Sequence, residues 1–168
     1  MKQIIRKRGT AIVDTPKGIL VASGRRKVFL LPGGGTERKS KESRRQAAMR
    51  ELREETGLKA YSSKYLFTYN EGKYYPDGRK RKIVNLHKVF LIKARGHARP
   101  RQEVKHLAYY KDGNINLPYN TKQIVEKYLE LKKQKSPLGF LKRIFGIWKS
   151  AEINRKICVS DNEPLNLC

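Results

Sequence analysis

The sequence predicts an α/β fold, a sandwich of mixed β-sheet with a helix on each face. Three observations predict it. Short β-branched and aromatic runs alternate with turn residues through the first third of the chain, longer runs of the same kind fill the middle, and two segments carry apolar residues at helical spacing.

In order, Thr10 to Val13, Ile19 to Ala22 and Val28 to Leu31 read as short strands, separated by the turn Asp14-Thr15-Pro16-Lys17-Gly18 and by Ser23-Gly24. Pro32-Gly33-Gly34-Gly35 is expected to stop the last of them. A helix follows from about Glu42 to Thr56, with Ala48, Leu52 and Thr56 on one face and Gly57 suited to the left-handed position that ends it. Tyr61 to Tyr69, Ile83 to Ala94 and Val104 to Tyr110 have strand composition, the first two joined through a turn at Pro76-Asp77-Gly78. Leu117 to Leu131 returns to helical spacing, with Asn120-Thr121 as candidate caps.

A chain of 168 residues suits one domain and a tail: residues 1–135 as the domain, and 136–168 as an appendage. In the appendage Ser136-Pro137 breaks the preceding helix. Leu141, Ile144, Phe145 and Trp148 then share a face beside Lys142, Arg143 and Lys149, making a short basic amphipathic helix. It either packs back on the domain or docks to a partner, a second copy or an anionic membrane. Ala151 to Cys168 reads as a poorly ordered, flexible tail.

The formal charge is +24, from 39 basic against 15 acidic residues, and residues 1–135 hold 34 of the former and 12 of the latter. The charge therefore belongs to the domain, and its field favours phosphate-rich partners, a small-molecule substrate first. RNA stays open as a partner, as does self-association through the C-terminal helix. Cys158 and Cys168 lie near the C-terminus and offer no disulfide framework, which fits a reducing compartment. No stretch approaches the ~20 apolar residues of a spanning helix, so no transmembrane segment is expected and the cytoplasm is the expected location.

Chemistry is concentrated in Arg50-Glu51-Leu52-Arg53-Glu54-Glu55-Thr56-Gly57-Leu58. Glu51, Glu54 and Glu55 stand at i, i+3 and i+4 and share one helical face. Carboxylates so crowded repel one another and raise each other's pKa unless a cation sits among them or arginines pair with them. Mg²⁺ suits hard oxygen ligands and commonly bridges carboxylates to phosphates, with Mn²⁺ as the alternative.

With Leu31-Pro32-Gly33-Gly34-Gly35 upstream and Glu42 seven residues before Arg50, the segment from Gly35 to Leu58 resembles the Nudix box: glycine, spacer, glutamate, seven residues, then Arg-Glu-apolar-x-Glu-Glu-x-Gly-apolar. One departure stands out: six residues separate Gly35 from Glu42 where the family pattern has five.

The resemblance implies a Nudix-type α/β/α sandwich and Mg²⁺-dependent hydrolysis of a nucleoside diphosphate linked to another group. It makes Glu51, Glu54 and Glu55 the metal ligands, with Glu55 or a glutamate outside the box as the base, and Arg50 the residue that orients a ligand carboxylate. Glu42 is expected to cap the helix start, and Gly33, Gly34 and Gly35 to let the loop approach substrate. A noncatalytic phosphate- or RNA-binding module on the same fold is the alternative.

Outside the box, Glu103 occupies the place where relatives carry a further ligand or base, or else is a surface glutamate paired with Arg99 or Arg101. His87 and His106 read as sheet histidines. Tyr74 and Tyr75 could stack a base with Arg79 or Arg81 on phosphates, or merely guard a strand edge. The substrate remains open among nucleoside triphosphates, dinucleoside or diphosphoinositol polyphosphates and the 5′ end of an RNA.

Overall fold

The structure, a computed structural model, describes residues 3–37, 40–74 and 82–134. Two compact units divide the chain, Met1–Val125 and Glu126–Cys168. The elements run β1 (Gln3–Ile12), β2 (Asp14–Thr15), β3 (Gly18–Ser23), β4 (Gly33–Gly35), α1 (Arg44–Thr56), β5 (Lys59–Tyr74), β6 (Lys82–Arg95), β7 (His106–Tyr110) and α2 (Tyr119–Gln134).

One sheet has the order β4-β1-β6-β5, the other β2-β3-β7. β1 lies parallel to β6 and antiparallel to β4, and β5 lies antiparallel to β6, so the larger sheet is mixed, as expected. β1 starts well before Thr10 because Ile4 and Ile5 pair with Ile83 and Val84 of β6, which carries the basic run Arg6-Lys7-Arg8 into the sheet.

The expected strand Val28 to Leu31 is replaced by a single bridge from Leu30 to Ala22. The glycines thought to end it form β4 instead, paired with Arg8, Gly9 and Thr10. Bare glycines let this edge strand lie where side chains would collide: a Cβ on Gly33 would stand 2.4 Å from the Gly9 carbonyl oxygen, and one on Gly34 would stand 2.0 Å from Oε1 of Glu51.

α1 is closed at both ends. Ser43, not Glu42, is its cap: the Ser43 hydroxyl accepts from the Gln46 amide, and the Gln46 side chain accepts from the Ser43 amide. Gly57, at φ 74°, takes the left-handed position and donates to the Arg53 carbonyl. The helix buries Ala47, Ala48, Leu52 and Thr56, and Ala48 and Leu52 join a core containing Ala11, Val13, Leu20, Phe90 and Ile92. It approaches β1 so closely that a Cβ on Gly9 would fall 1.9 Å from the Arg44 carbonyl oxygen.

α2 begins one residue before Asn120, so Asn120 and Thr121 occupy its first turn rather than capping it. Thr121, Ile124 and Val125 are buried. Among the described residues no helix is long and apolar enough to cross a membrane. Arg79, the Pro76-Asp77-Gly78 turn, Tyr75 and the amphipathic segment after Ser136 lie outside the described residues; Tyr74 closes β5 through its backbone.

Candidate active site

Arg50 organises the glutamate helix. Its Nε and Nη2 donate to the Glu42 carboxylate at 2.9 and 3.2 Å, its Nη1 to Glu54 at 2.9 Å, and Nη1 stands 3.0 Å from Oε1 of Glu51. Nη2 also donates to the Gly35 carbonyl at 3.1 Å. The carboxylates of Glu42, first, and of Glu51 and Glu54 hold the guanidinium well above its ordinary pKa against the opposing effect of burial, while Arg50 in turn lowers Glu42. Glu42 thus serves as the arginine's anchor, and its Oε2 also accepts the Glu37 amide at 3.0 Å. The spacer, one residue longer than the family pattern, therefore leaves both of its ends, Gly35 and Glu42, bonded to Arg50.

Glu51 and Glu55 reach past β4 into a cavity of about 580 Å³, where Glu103 joins them; Glu54 remains with Arg50. Glu103 is in the loop before β7, not in a strand, and its position follows from backbone lacing. The Arg99 amide donates to the Thr56 carbonyl at 2.9 Å and the Arg101 amide to the Glu55 carbonyl at 3.0 Å. These bonds satisfy carbonyls that the end of a helix leaves open. Burial, foremost, and then the fields of Glu51 and Glu103 push the Glu55 carboxyl up to about 8, against the Gly33 amide and Arg8, which pull it down.

A second polar cluster lines the same cavity. Glu71 of β5 accepts from the side-chain amides of Asn85 on β6 and of Asn120 on α2, the latter at 3.1 Å, and Tyr69 donates to Asn120 at 2.9 Å. His87 Nδ1 lies 2.9 Å from the Thr10 hydroxyl and Nε2 lies 3.5 Å from Glu71. Burial, first, and Arg8 hold the imidazole below its ordinary pKa, with Glu71 opposing, which favours the neutral ring. It is a bonded sheet histidine and a cavity wall at once; His106 is exposed on β7. Oδ1 of Asn85 and Oγ of Ser23 are buried in this cavity without a hydrogen-bond partner.

A family model for the NUDIX domain matches residues 6–116. The chain belongs to the Nudix family. A nudix hydrolase family member from Chromobacterium violaceum is similar at 32% identity over 90% of this chain and 97% of its own, with TM-score 0.64. The MutT NUDIX hydrolase of Burkholderia pseudomallei is similar at 20% identity (73% and 97% covered, TM-score 0.59), and an ADP-ribose pyrophosphatase of Streptococcus suis at 17% (79% and 93%, TM-score 0.53). No curated protein matches. The chain is accordingly a Nudix hydrolase, an enzyme of phosphorus-containing acid anhydrides.

Nudix hydrolases use a divalent cation, and the donor chemistry of this site fits one. Its cavity-facing groups are the carboxylates of Glu51, Glu55 and Glu103, whose oxygens are the hard donors that Mg²⁺ and Mn²⁺ prefer. Among the described residues, no three His, Cys, Asp or Glu side chains form a ready-made cage, because Arg50 holds Glu54 and stands against Glu51.

Two predictions arise here. In chelator, Glu55 binds a proton more tightly folded than unfolded. Its contribution to stability is therefore fully present below the unfolded pKa near 4.5 and is lost as pH rises through about 8. Urea unfolding of the metal-free protein should show Glu55→Gln gaining stability relative to the parent between pH 5 and 8, on the order of 3 kcal/mol; parallel pH profiles would contradict the shift. Gly34→Ala places a methyl where the Glu51 carboxyl now lies. Turnover should fall by about a hundredfold while the thermal midpoint scarcely moves, because a flexible side chain yields but no longer reaches its place.

Proposed function

We infer that this Nudix hydrolase is a Mg²⁺-dependent pyrophosphohydrolase that cleaves the phosphoanhydride of a nucleoside diphosphate linked to another group, such as a nucleoside triphosphate or dinucleoside polyphosphate. The observation that carries the reading is the convergence of Glu51, Glu55 and Glu103 in one cavity with the polar cluster of Glu71, Asn85, His87 and Asn120. The first set suits the reacting phosphates, the second a nucleoside.

Glu51, Glu54 and Glu55, with Glu103 opposite, would hold the cation, which when bound supplies neutralising charge to the phosphate oxygens. Glu55 would take the proton of the attacking water. Arg50 fixes the carboxylates in register, and the Gly33–Gly35 backbone leaves room for phosphates to pass. Arg8, which donates to the Gly33 carbonyl at 3.3 Å, puts a positive charge on the cavity wall. The orphaned Asn85 Oδ1 offers a buried acceptor to a donor on a base.

The test is release of phosphate or pyrophosphate with Mg²⁺ from a panel of nucleoside triphosphates, dinucleoside polyphosphates, diphosphoinositols and 5′-triphosphate RNA. Metal-dependent release from a nucleotide, lost in the double variant Glu54→Gln and Glu55→Gln, supports the reading. Silence on every nucleotide, or turnover that survives that variant, overturns it.

A further inference from the structure

We propose that a basic groove on the α1 face of the larger sheet, opposite the catalytic cavity, binds single-stranded nucleic acid, with its phosphates on Lys7, Lys41, Arg44, Arg45 and Lys88 and a base stacked on Tyr65.

The two faces are separated by strand alternation. On β1 and β6, Arg8, Thr10, Asn85 and His87 face the catalytic cavity, whereas Lys7, Gly9, Lys88 and Phe90 face α1. The α1 side carries a second cavity of about 970 Å³, closed on one flank by the first turn of α1 and meeting the catalytic one at Arg8 and Gly35. Six basic residues line it besides Arg8, which it shares with the catalytic cavity, against two acidic ones, Glu37 and Glu42, and both of these are within salt-bridge distance of Arg50.

Charge alone would attract any polyanion; the aromatic side chain narrows the class. Tyr65 is 46% exposed on the edge strand β5, beside the buried Phe90 with which it pairs. Its orientation is fixed: its hydroxyl is bonded to the Thr68 hydroxyl at 2.9 Å and its ring meets Phe90 edge-on, with centroids 5.9 Å apart. Lys88 Nζ lies 5.9 Å from the Tyr65 centroid, and Arg45 stands 6.0 Å from the Phe90 ring. Nη1 of Arg44 is buried in the groove without a hydrogen-bond partner. A held aromatic face beside cations spaced along a groove is what an unpaired strand requires, since its bases stack on rings while its phosphates track positive charge. A duplex hides its base faces from Tyr65, and a lipid surface engages protruding side chains rather than a concavity.

The experiment uses the full chain in chelator and a fluorescein-labelled single-stranded ten-residue uridylate RNA, with anisotropy read across a KCl series. Tyr65→Ala should weaken binding about tenfold with the salt slope unchanged, and Tyr65→Phe, which keeps the ring, should retain it. The double charge reversal Lys7→Glu and Lys88→Glu should weaken binding at least tenfold and flatten the salt slope by about 1.4, the share of two phosphates on a single strand. All three substitutions are at exposed positions off the catalytic cavity, so Mg²⁺-dependent turnover of a small nucleotide should persist in each. Long-chain inorganic polyphosphate should respond to the charge reversal and not to Tyr65→Ala. RNA affinity indifferent to Tyr65→Ala overturns the proposal, as does a charge reversal that lowers binding to phosphatidylserine vesicles but not to RNA.

Discussion

Glu55→Gln should lower Mg²⁺-dependent turnover by about three orders of magnitude while leaving the protein folded. The amide keeps the size of the carboxyl and can still accept the Gly33 amide, so packing at the end of α1 is preserved. It removes the negative charge a cation would need and the base that takes the water's proton, a contribution worth ~10²- to 10⁴-fold by itself. Stopped assays at saturating substrate, with circular dichroism to confirm folding, measure both halves. Turnover within tenfold of the parent would transfer the base role to Glu103, which shares the cavity, and Glu103→Gln would then be the variant that abolishes the reaction.

Gly9→Ala should be the most destabilising single methyl in the domain. The added Cβ would stand 1.9 Å from the Arg44 carbonyl oxygen and 2.7 Å from the Ala48 amide nitrogen, both backbone atoms that no rotamer change can move. α1 would have to lift away from β1, a rearrangement that costs about 3 kcal/mol or more when a packed core is overfilled. Because Glu51 and Glu55 ride on that helix, activity should fall with stability. A lowered urea midpoint together with lost turnover is the expected pair; an unchanged midpoint would mean that the helix and strand are not in this contact in solution. Gly34→Ala is the matched control, since its methyl meets a side chain and should affect activity alone.

These contrasts indicate which parts of the molecule were legible in the sequence. The glutamate helix was, because residues three and four apart must share a face and because Gly57 can adopt a conformation that other residues resist. Arg50 was recognisable as the partner of carboxylates, although not the anchoring role of Glu42, since Ser43 and Gln46 supply the cap that Glu42 was expected to provide. β4 was misread: three glycines in a row look like a chain break, and only the neighbouring strand and the Glu51 side chain reveal why side chains are absent there. The polar cluster was invisible as a cluster, because Glu71, Asn85, His87 and Asn120 come from β5, β6 and α2, and no local spacing links them. Glu103 was chosen by resemblance, while the bonds that place it are made by main-chain amides, which leave no side-chain signature.

That lacing has a consequence for how the protein can vary. The Arg99 and Arg101 amides that fasten the β6–β7 loop to the end of α1 belong to the main chain, which nearly every amino acid supplies equally. Most substitutions at either position leave the fastening intact, with proline, which has no amide hydrogen, as the exception. An insertion or deletion on that loop between Gly96 and Arg99 shifts the register of both bonds and swings Glu103 away from Glu55. In a library covering both kinds of change, the loop should be permissive in composition and rigid in length.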